Sequence, residues 1–286
     1  MSLEITAFFH KSSSTYSYVV ADTAARRAAV LDPALDYDAA SGRSGTASAQ
    51  AIVEHIKSRG YTLEWILETH AHADHLSAAQ FLKRELGGRV AIGEGIRSVQ
   101  ATFKALYNLG KDFPTDGSQF DHLLQDGESF KLGEIPVRVV AMAGHTSDGV
   151  AYLIEDAAFV GDSLFMPDSG SARCDFPGGD AGKLYDSMRG LLDLSEGTRL
   201  FMCHDYAPGG REHRHETTVG EQRRSNIHVK DGVSREDFIK QRQSRDATLP
   251  VPALLLPAIQ VNIRAGHLPE PEANGTAYLK IPLDKF

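Results

Sequence analysis

The sequence is poor in cysteine and has no long apolar run. Cys174 and Cys203 are the only cysteines among 286 residues, too few for the disulfide framework of a small secreted protein, so we expect a reducing compartment. No run of about eighteen apolar residues occurs, which argues against a membrane-spanning helix. The first residues lack a basic region followed by an apolar segment, so we predict no signal peptide and a cytoplasmic location.

Positive charge is also scarce. The 30 lysines and arginines are outnumbered by 38 aspartates and glutamates, for a formal net charge of −8. A nucleic-acid-binding protein would usually present a basic face, so we expect no nucleic-acid partner. With 42% hydrophobic and 24% charged residues, the composition is that of an ordinary globular protein. We predict a single domain over residues 1–286, with a C-terminal extension from about residue 227.

The most informative stretch is His-Ala-His-Ala-Asp-His at residues 70–75. It follows an apolar, strand-like segment at 65–67 and precedes residues 76–82, whose apolar side chains recur at helical spacing. We therefore expect a loop between a strand and a helix, with Asp74 as the helix N-cap. Imidazole and carboxylate groups are the usual ligands of zinc, iron and copper. A loop of merely solvated histidines is the alternative, and three histidines with an aspartate make it the weaker one.

The same pattern, an apolar strand followed by a histidine or aspartate, occurs at four places in the chain. Since strand ends of a sheet meet at one rim, these groups are expected to converge. Each residue alone would more often be a turn or helix-cap group, whereas together they indicate a centre for one metal ion or two. The residue types leave iron and zinc both open. The converging residues are His70, His72, Asp74, His75, His145, Asp162 and His204.

Apolar periodicity predicts two N-terminal hairpin strands and then helices alternating with strands, which is an α/β pattern. Residues 34–48 are predicted to form an irregular loop, and Asp32 is expected to organise the turn near the site. Helices are expected at 76–86, about 216–226 and 234–245, followed by a tail with little periodicity.

In chain order, the histidine loop is followed by Gly144-His145-Thr146, Gly161-Asp162 and Cys203-His204-Asp205. This series resembles the metallo-β-lactamase superfamily over roughly residues 3–226, which implies an αββα sandwich with metal at one rim. Finer features, among them Arg173-Cys174-Asp175-Phe176 and His204-Asp205-Tyr206, resemble persulfide dioxygenases, with glyoxalase II enzymes as near neighbours.

The resemblance to persulfide dioxygenases implies one Fe(II) per chain, held by His70, His145 and Asp162. Two histidines and one carboxylate leave three coordination positions open. The other four groups would orient the ligands and shape the pocket; they are His72, Asp74, His75 and His204. The implied reaction converts glutathione persulfide, or a similar small persulfide, with O₂ and water to sulfite and the thiol. The family also suggests a homodimer.

Three further residues are implied to contact the substrate. Tyr206 would point its hydroxyl at the substrate sulfur or oxygen, although it could also pack on the core. Arg173 would pair with a substrate carboxylate, or else with Asp175 within its own loop. Arg211 would hold the peptide part of glutathione, although a basic run is usually a solvated face.

The sequence departs from the dioxygenase pattern in two respects. The family cysteine precedes the arginine, whereas Cys174 follows Arg173, so its role is not carried over. Residues 95–126 and the tail after 227 exceed what the family core needs, and a lid or subunit contact is one use for them.

The competing function is a dinuclear zinc hydrolase of the glyoxalase II type, in which a bridging hydroxide attacks a thioester. A non-catalytic scaffold of this fold would be expected to have lost ligand residues, and none is missing.

Overall fold

The structure is a computed structural model, and it describes residues 2–285, so the first and last residues of the predicted 1–286 domain lie outside it. Along that range the strands are β1 (Leu3–His10), β2 (Thr15–Asp22), β3 (Arg27–Leu31), β4 (Ala34–Asp38), β5 (Arg43–Gly45), β6 (Thr62–Leu67), β7 (Leu76–Ser77), β8 (Arg89–Gly93), β9 (His122–Leu124), β10 (Ser129–Leu132), β11 (Ile135–Ala141), β12 (Val150–Ile154), β13 (Ala157–Phe159), β14 (Arg199–Phe201) and β15 (Glu216–Thr218). The helices are α1 (Ala47–Arg59), α2 (Ala79–Leu86), α3 (Ile96–Leu106), α4 (Ala181–Leu192), α5 (Val219–Ser225), α6 (Arg235–Asp246) and α7 (Leu255–Asn262).

Two six-stranded sheets form the centre of the fold. The first has the order β1-β2-β3-β6-β8-β9, and the second runs from β10 to β15 in sequence order. Strands β3, β6, β8 and β9 are mutually parallel, so β3 and β6 end at the same edge. That parallel arrangement brings Asp32, after β3, beside the histidine loop, after β6.

The two sheets pack face to face because their strands are apolar on both sides. In β2, Tyr18 and Val20 join the core between the sheets, whereas Val19 and Ala21 face the outer helices. This is the period-two alternation of a strand buried on both faces.

Helices cover both outer faces of the sandwich. The first sheet is covered by α1, α2, α3 and α7 through residues such as Ile52, Leu82, Phe103 and Ile259. The second is covered by α4, α5 and α6, which share a separate apolar cluster with it. The predicted αββα architecture is therefore confirmed.

Two local predictions are wrong. Residues 34–48 contain β4 and β5, which form a small third sheet with β7. Asp74 is not a helix cap, because β7 follows the histidine loop and α2 starts after Ala78, which makes no side-chain capping bond. The first two residues of the predicted helix 76–86 therefore form a short strand, and the helix begins only after it. Apolar spacing alone does not reveal where the strand ends and the helix begins.

The C-terminal predictions need similar corrections. The predicted helix at 216–226 begins as β15 and becomes α5 only at Val219. The tail contains α7, whose Leu255, Ala258, Ile259 and Val261 are all buried. A helix that is apolar around most of its circumference lacks the amphipathic period, which is why the sequence pattern missed it.

The two segments expected as a lid or subunit contact are partly accounted for within the fold. In residues 95–126, α3 lies in the outer layer and β9 completes the edge of the first sheet. In the tail, α6 and α7 belong to the two helical layers. Between residues 2 and 285, no helix has both the length and the apolar character needed to cross a bilayer.

Candidate metal centre and adjoining cavity

His70, His145 and Asp162 converge at one rim of the sandwich, although they come from three different loops. The Asp162 Oδ2 atom lies 3.8 Å from His70 Nε2 and 3.7 Å from His145 Nε2. One ligand atom from each residue lies within 4.8 Å of the other two. The structure thus brings together the three residues predicted to hold iron, and their role as ligands remains a prediction.

The residues fit a metal ion. His70 Nε2 and Asp162 Oδ1 are shielded from solvent and have no hydrogen-bond partner among the described residues. Buried polar atoms are normally satisfied, so such atoms facing one another need an explanation, and a bound cation supplies it. The Nδ1–H of His145 donates to the Arg173 carbonyl at 2.6 Å, which leaves the Nε2 lone pair directed at the centre.

Asp32 fixes the histidine loop from behind. Its carboxylate accepts hydrogen bonds from the Thr69 backbone N–H at 2.7 Å and the Thr69 hydroxyl at 2.9 Å. It also lies 2.9 Å from His72 Nε2. Asp32 has a left-handed backbone (φ +46°), which an aspartate tolerates better than most residues. The prediction that Asp32 organises the turn is confirmed.

The other four predicted residues adjoin this centre. His75 Nδ1 lies 3.1 Å from Asp74 Oδ2, and His204 Nε2 lies 3.4 Å from the same oxygen and 3.3 Å from Asp162 Oδ1. His72 Nδ1, His75 Nε2 and His204 Nε2 are buried without a hydrogen bond among the described residues. All seven predicted groups are therefore gathered at one site.

The electrostatics of this cluster favour a positive charge between Asp74 and Asp162. Burial by itself lowers the pKa of His204, but the carboxylates of Asp162 and Asp74 outweigh it and raise that pKa to about 9. The two carboxylates thus attract a cation, whether it is the imidazolium of His204 or a metal ion.

A cavity of about 560 Å³ opens above the centre. Asp74, His145 and Asp162 form part of its lining, and so do residues of α6 and of the segment after it. Much of the remaining wall is apolar and is formed by Phe165, Phe176, Ile227, Leu249 and Pro252. The C-terminal extension therefore builds one wall of the candidate site.

Tyr206 lies at the mouth of this cavity. Its ring stacks on His204 at an interplanar angle of 12° and meets Phe165 edge to face, with the centroids 5.7 Å apart in both pairs. Tyr206 is 55% exposed. Desolvation of the hydroxyl end and the nearby Asp162 and Asp74 carboxylates raise the pKa of Tyr206, so its hydroxyl remains a hydrogen-bond donor.

The two predicted substrate-binding arginines are already engaged by carboxylates. Arg173 makes a bidentate pair with Asp175, at 2.6 and 2.7 Å, and donates to the Pro250 carbonyl. Arg211 is held by Asp168 and Asp205 at 2.5 to 2.8 Å. Arg173 lines the cavity with its charge compensated, and an incoming carboxylate would have to compete with Asp175.

Arg245 of α6 is the contrasting case. It lines the cavity and is exposed, and no hydrogen bond or ion pair of its guanidinium occurs within residues 2–285. Its neighbour Arg242 also lines the cavity but is buried and paired with Asp246. The sequence shows two arginines three positions apart in the predicted helix 234–245. It contains no local pattern that places this helix beside the metal centre.

Cys174 belongs to the apolar cluster that α4, α5 and α6 share with the second sheet. The side chain is buried, and desolvation together with the Asp246 carboxylate raises the pKa of its thiol to about 12. A thiol with so high a pKa is a poor nucleophile, so Cys174 acts as a packing residue.

The histidine loop is also fastened from the far end of the chain. The side-chain amide of Asn262, in α7, donates to the backbone carbonyls of His72 and His75, and its oxygen accepts from the Ser77 N–H, all at 2.8 Å. Asn262 is only 4% exposed. The C-terminal extension therefore positions the histidine loop as well as walling the cavity.

Comparisons with known proteins agree with this architecture. Residues 12–204 match the metallo-beta-lactamase superfamily. A probable metallo-hydrolase of Burkholderia pseudomallei is 49% identical over 99% of both chains, and glyoxylase B2 of Dictyostelium discoideum is 50% identical over 98% of this chain and 97% of its own.

More distant relatives carry a different name. The mitochondrial persulfide dioxygenase ETHE1 of Bos taurus is 28% identical over 90% of this chain and 87% of its own. The crystal structure of ETHE1 from Myxococcus xanthus superposes with a TM-score of 0.74 at 29% identity, covering 92% of this chain and all of the other. The fold, the rim site and the match over residues 12–204 show that the chain belongs to the metallo-β-lactamase superfamily.

Proposed function

We propose that this protein is an Fe(II)-dependent persulfide dioxygenase, which converts glutathione persulfide or a similar small persulfide with O₂ and water to sulfite and the thiol. The observation that carries the proposal is the buried set of His70, His145 and Asp162 at the base of a large cavity. Two imidazoles and one carboxylate are the ligand set of non-haem iron oxygenases. The likeness to persulfide dioxygenase ETHE1 along most of the chain supports it.

The protein residues have separate tasks in this proposal. Bound iron would supply the redox chemistry with dioxygen. Asp74, His75 and His204 keep the surroundings of the triad polar, and Tyr206 offers a protonated hydroxyl to the substrate. Phe165, Phe176 and the other apolar wall residues exclude water from the reacting sulfur.

The competing function is a dinuclear zinc thioesterase of the glyoxalase II type. One observation favours it: His204 lies between the carboxylates of Asp162 and Asp74, and ligand atoms of His72, Asp74 and His75 lie close enough together to hold a second ion. The names of the relatives that are 49% and 50% identical, a metallo-hydrolase and a glyoxylase, point the same way.

Metal analysis paired with oxygen consumption separates the two functions. We expect freshly purified protein to contain about one iron per chain and to take up oxygen when glutathione persulfide is added. Two zinc ions per chain, cleavage of a glutathione thioester and no oxygen uptake would replace the dioxygenase with the hydrolase. A chelator-treated sample reloaded with Fe(II) or Zn(II) is the control, because it shows which ion restores which reaction.

Arg245 is proposed to hold a carboxylate of the glutathione moiety. We expect Arg245→Gln to lower kcat/KM for glutathione persulfide by about tenfold, the size of a single charge-assisted hydrogen bond. The persulfide of glutathione diethyl ester, which lacks both carboxylates, should be turned over equally well by the variant and the natural protein. Arg224→Gln removes an exposed charge whose ion-pair partner is Glu196, and it serves as the matched control. An equal loss with the charged and esterified substrates would contradict the assignment.

A further inference from the structure

We propose that Thr15, Ser13 and His10 form a proton relay that connects the cavity at Asp74 with solvent beside Asp36. The proposal concerns the site of the proposed function and deepens it, because it names the route by which protons leave. None of these three residues belongs to the cluster predicted from the sequence.

The relay is a continuous series of hydrogen bonds. Thr15 Oγ1 lies 3.1 Å from Asp74 Oδ2, and Ser13 Oγ lies 2.6 Å from Thr15 Oγ1. Ser13 Oγ also lies 2.6 Å from His10 Nδ1, and the other nitrogen of that ring is 3.2 Å from Asp36 Oδ1. The inner end is Asp74, which lines the cavity.

Every link can both give and accept a proton. Hydroxyls carry one donor and two acceptor sites, and imidazole exchanges protons between its two nitrogens at neutral pH. A proton arriving at Thr15 is passed on as Thr15 donates to Ser13, Ser13 to His10 Nδ1, and His10 Nε2–H to Asp36. After one transfer both hydroxyl hydrogens point back toward Asp74 and the His10 proton lies on Nδ1, so the hydroxyls rotate and the imidazole returns its proton to Nε2 before the next transfer.

The outer end reaches solvent. The Asp36 side chain is 31% exposed, whereas His10 is only 7% exposed and Thr15 is fully buried. A cavity of about 120 Å³ is lined partly by His10, Ser17 and Ser48, and the Ser48 hydroxyl donates to Asp36 Oδ1 at 2.6 Å. That volume accommodates several water molecules, which can carry the proton onward.

His10 is tuned to release protons as well as to accept them. The charged groups that face it are Asp36 from β4 and Asp74 and His75 from the histidine loop. Burial and then His75 lower the pKa of His10, and the two carboxylates offset that shift only in part. The imidazole is therefore mostly neutral at pH 7 and returns to that state after each transfer.

The reaction needs such a route. Glutathione persulfide, O₂ and water give glutathione, sulfite and two protons, as the outer sulfur is oxidised and dioxygen is reduced. A substrate bound in the cavity would lie among Phe165, Phe176 and Leu249 and would obstruct direct access of solvent to the centre. Protons released beneath the substrate then have a second exit through Thr15, on the opposite side of Asp74.

The test compares turnover in weak and strong proton-carrying buffers. In dilute buffer we expect His10→Gln and Ser13→Ala to lower kcat on the order of tenfold, less than the loss of a group acting directly on the reacting atoms. KM, the iron content and the rate of a single turnover should not change.

Rescue and control variants identify the effect as proton transfer. Added imidazole should restore the kcat of His10→Gln. Ser13→Thr keeps the hydroxyl and should retain the kcat of the natural protein. His122→Gln, which breaks a histidine–carboxylate pair on β9, is the matched control.

Two outcomes would overturn the relay. In the first, both variants have the kcat of the natural protein in dilute buffer. In the second, kcat falls, imidazole does not restore it, and KM rises as well. The result is separate from the identity of the reaction. If the protein cleaves thioesters and takes up no oxygen, the same variants are compared on that substrate, because hydrolysis to an ionised acid also releases a proton. In that case the dioxygenase proposal would be wrong, and the kcat values of the variants on the thioester would still test the relay.

Discussion

His145→Ala is expected to abolish iron binding and oxygen uptake. The substitution removes one of three protein ligands and leaves His70 Nε2 and the Asp162 carboxylate facing an open space. Changing a group that merely orients a ligand already costs roughly 10- to 100-fold in metal affinity, so loss of a ligand itself should cost more. Elemental analysis of the purified variant and an oxygen electrode measure the two effects.

The control for this experiment is His267→Ala, which removes an exposed histidine of the C-terminal extension. It should keep its iron and its activity. His145→Ala should also keep its fold, because the ring lies at the rim of the sandwich and not between the sheets. Full iron occupancy in a folded His145→Ala protein would show that the metal is held by other residues, and His72, Asp74 and His75 would be the next set to examine.

Asn262→Ala is expected to lower the free energy of unfolding by about 3 kcal/mol, because it leaves three buried backbone groups without their partner. The freed groups belong to the histidine loop or adjoin it, so iron affinity should fall together with stability. Denaturant unfolding gives the first quantity, and competition with a chelator gives the second.

Two comparison variants separate the clamp from general destabilisation. Asn262→Asp keeps an oxygen acceptor for the Ser77 N–H but sets a buried carboxylate oxygen against the carbonyls of His72 and His75, so it should be at least as unstable as Asn262→Ala. Asn274→Ala removes an exposed side chain that donates to the Tyr278 hydroxyl and accepts from the Thr276 N–H at the surface, and we expect little change. If Asn262→Ala lost stability but kept its iron affinity, α7 would support the fold and not the site.

The sequence predicted those parts of the site that depend on strand ends. His145, Asp162 and His204 each follow an apolar strand, and parallel or adjacent strands bring such positions to one rim. Asp32 was predictable for the same reason, since it follows β3, the neighbour of β6. Local patterns also indicated α6, and its start at Arg235 lies within one residue of the predicted start.

Contacts between distant segments were not predictable in this way. No local pattern shows that Arg242 and Arg245 both line the cavity, or that Arg242 is buried against Asp246 while Arg245 is exposed. The pairing of Arg173 with Asp175 was open at the sequence level, because an arginine two residues from an aspartate can turn to it or to a ligand. The relay through Thr15 was hidden because Ser13 and Thr15 look like ordinary turn and strand residues.

The Asn262 clamp has a consequence for how the protein is made. The ribosome synthesises the histidine loop 190 residues before it reaches Asn262. Until α7 emerges and docks, the carbonyls of His72 and His75 lack the donor that fixes the loop. A nascent chain halted before α7 should therefore bind iron weakly, so metal loading would follow synthesis and not accompany it.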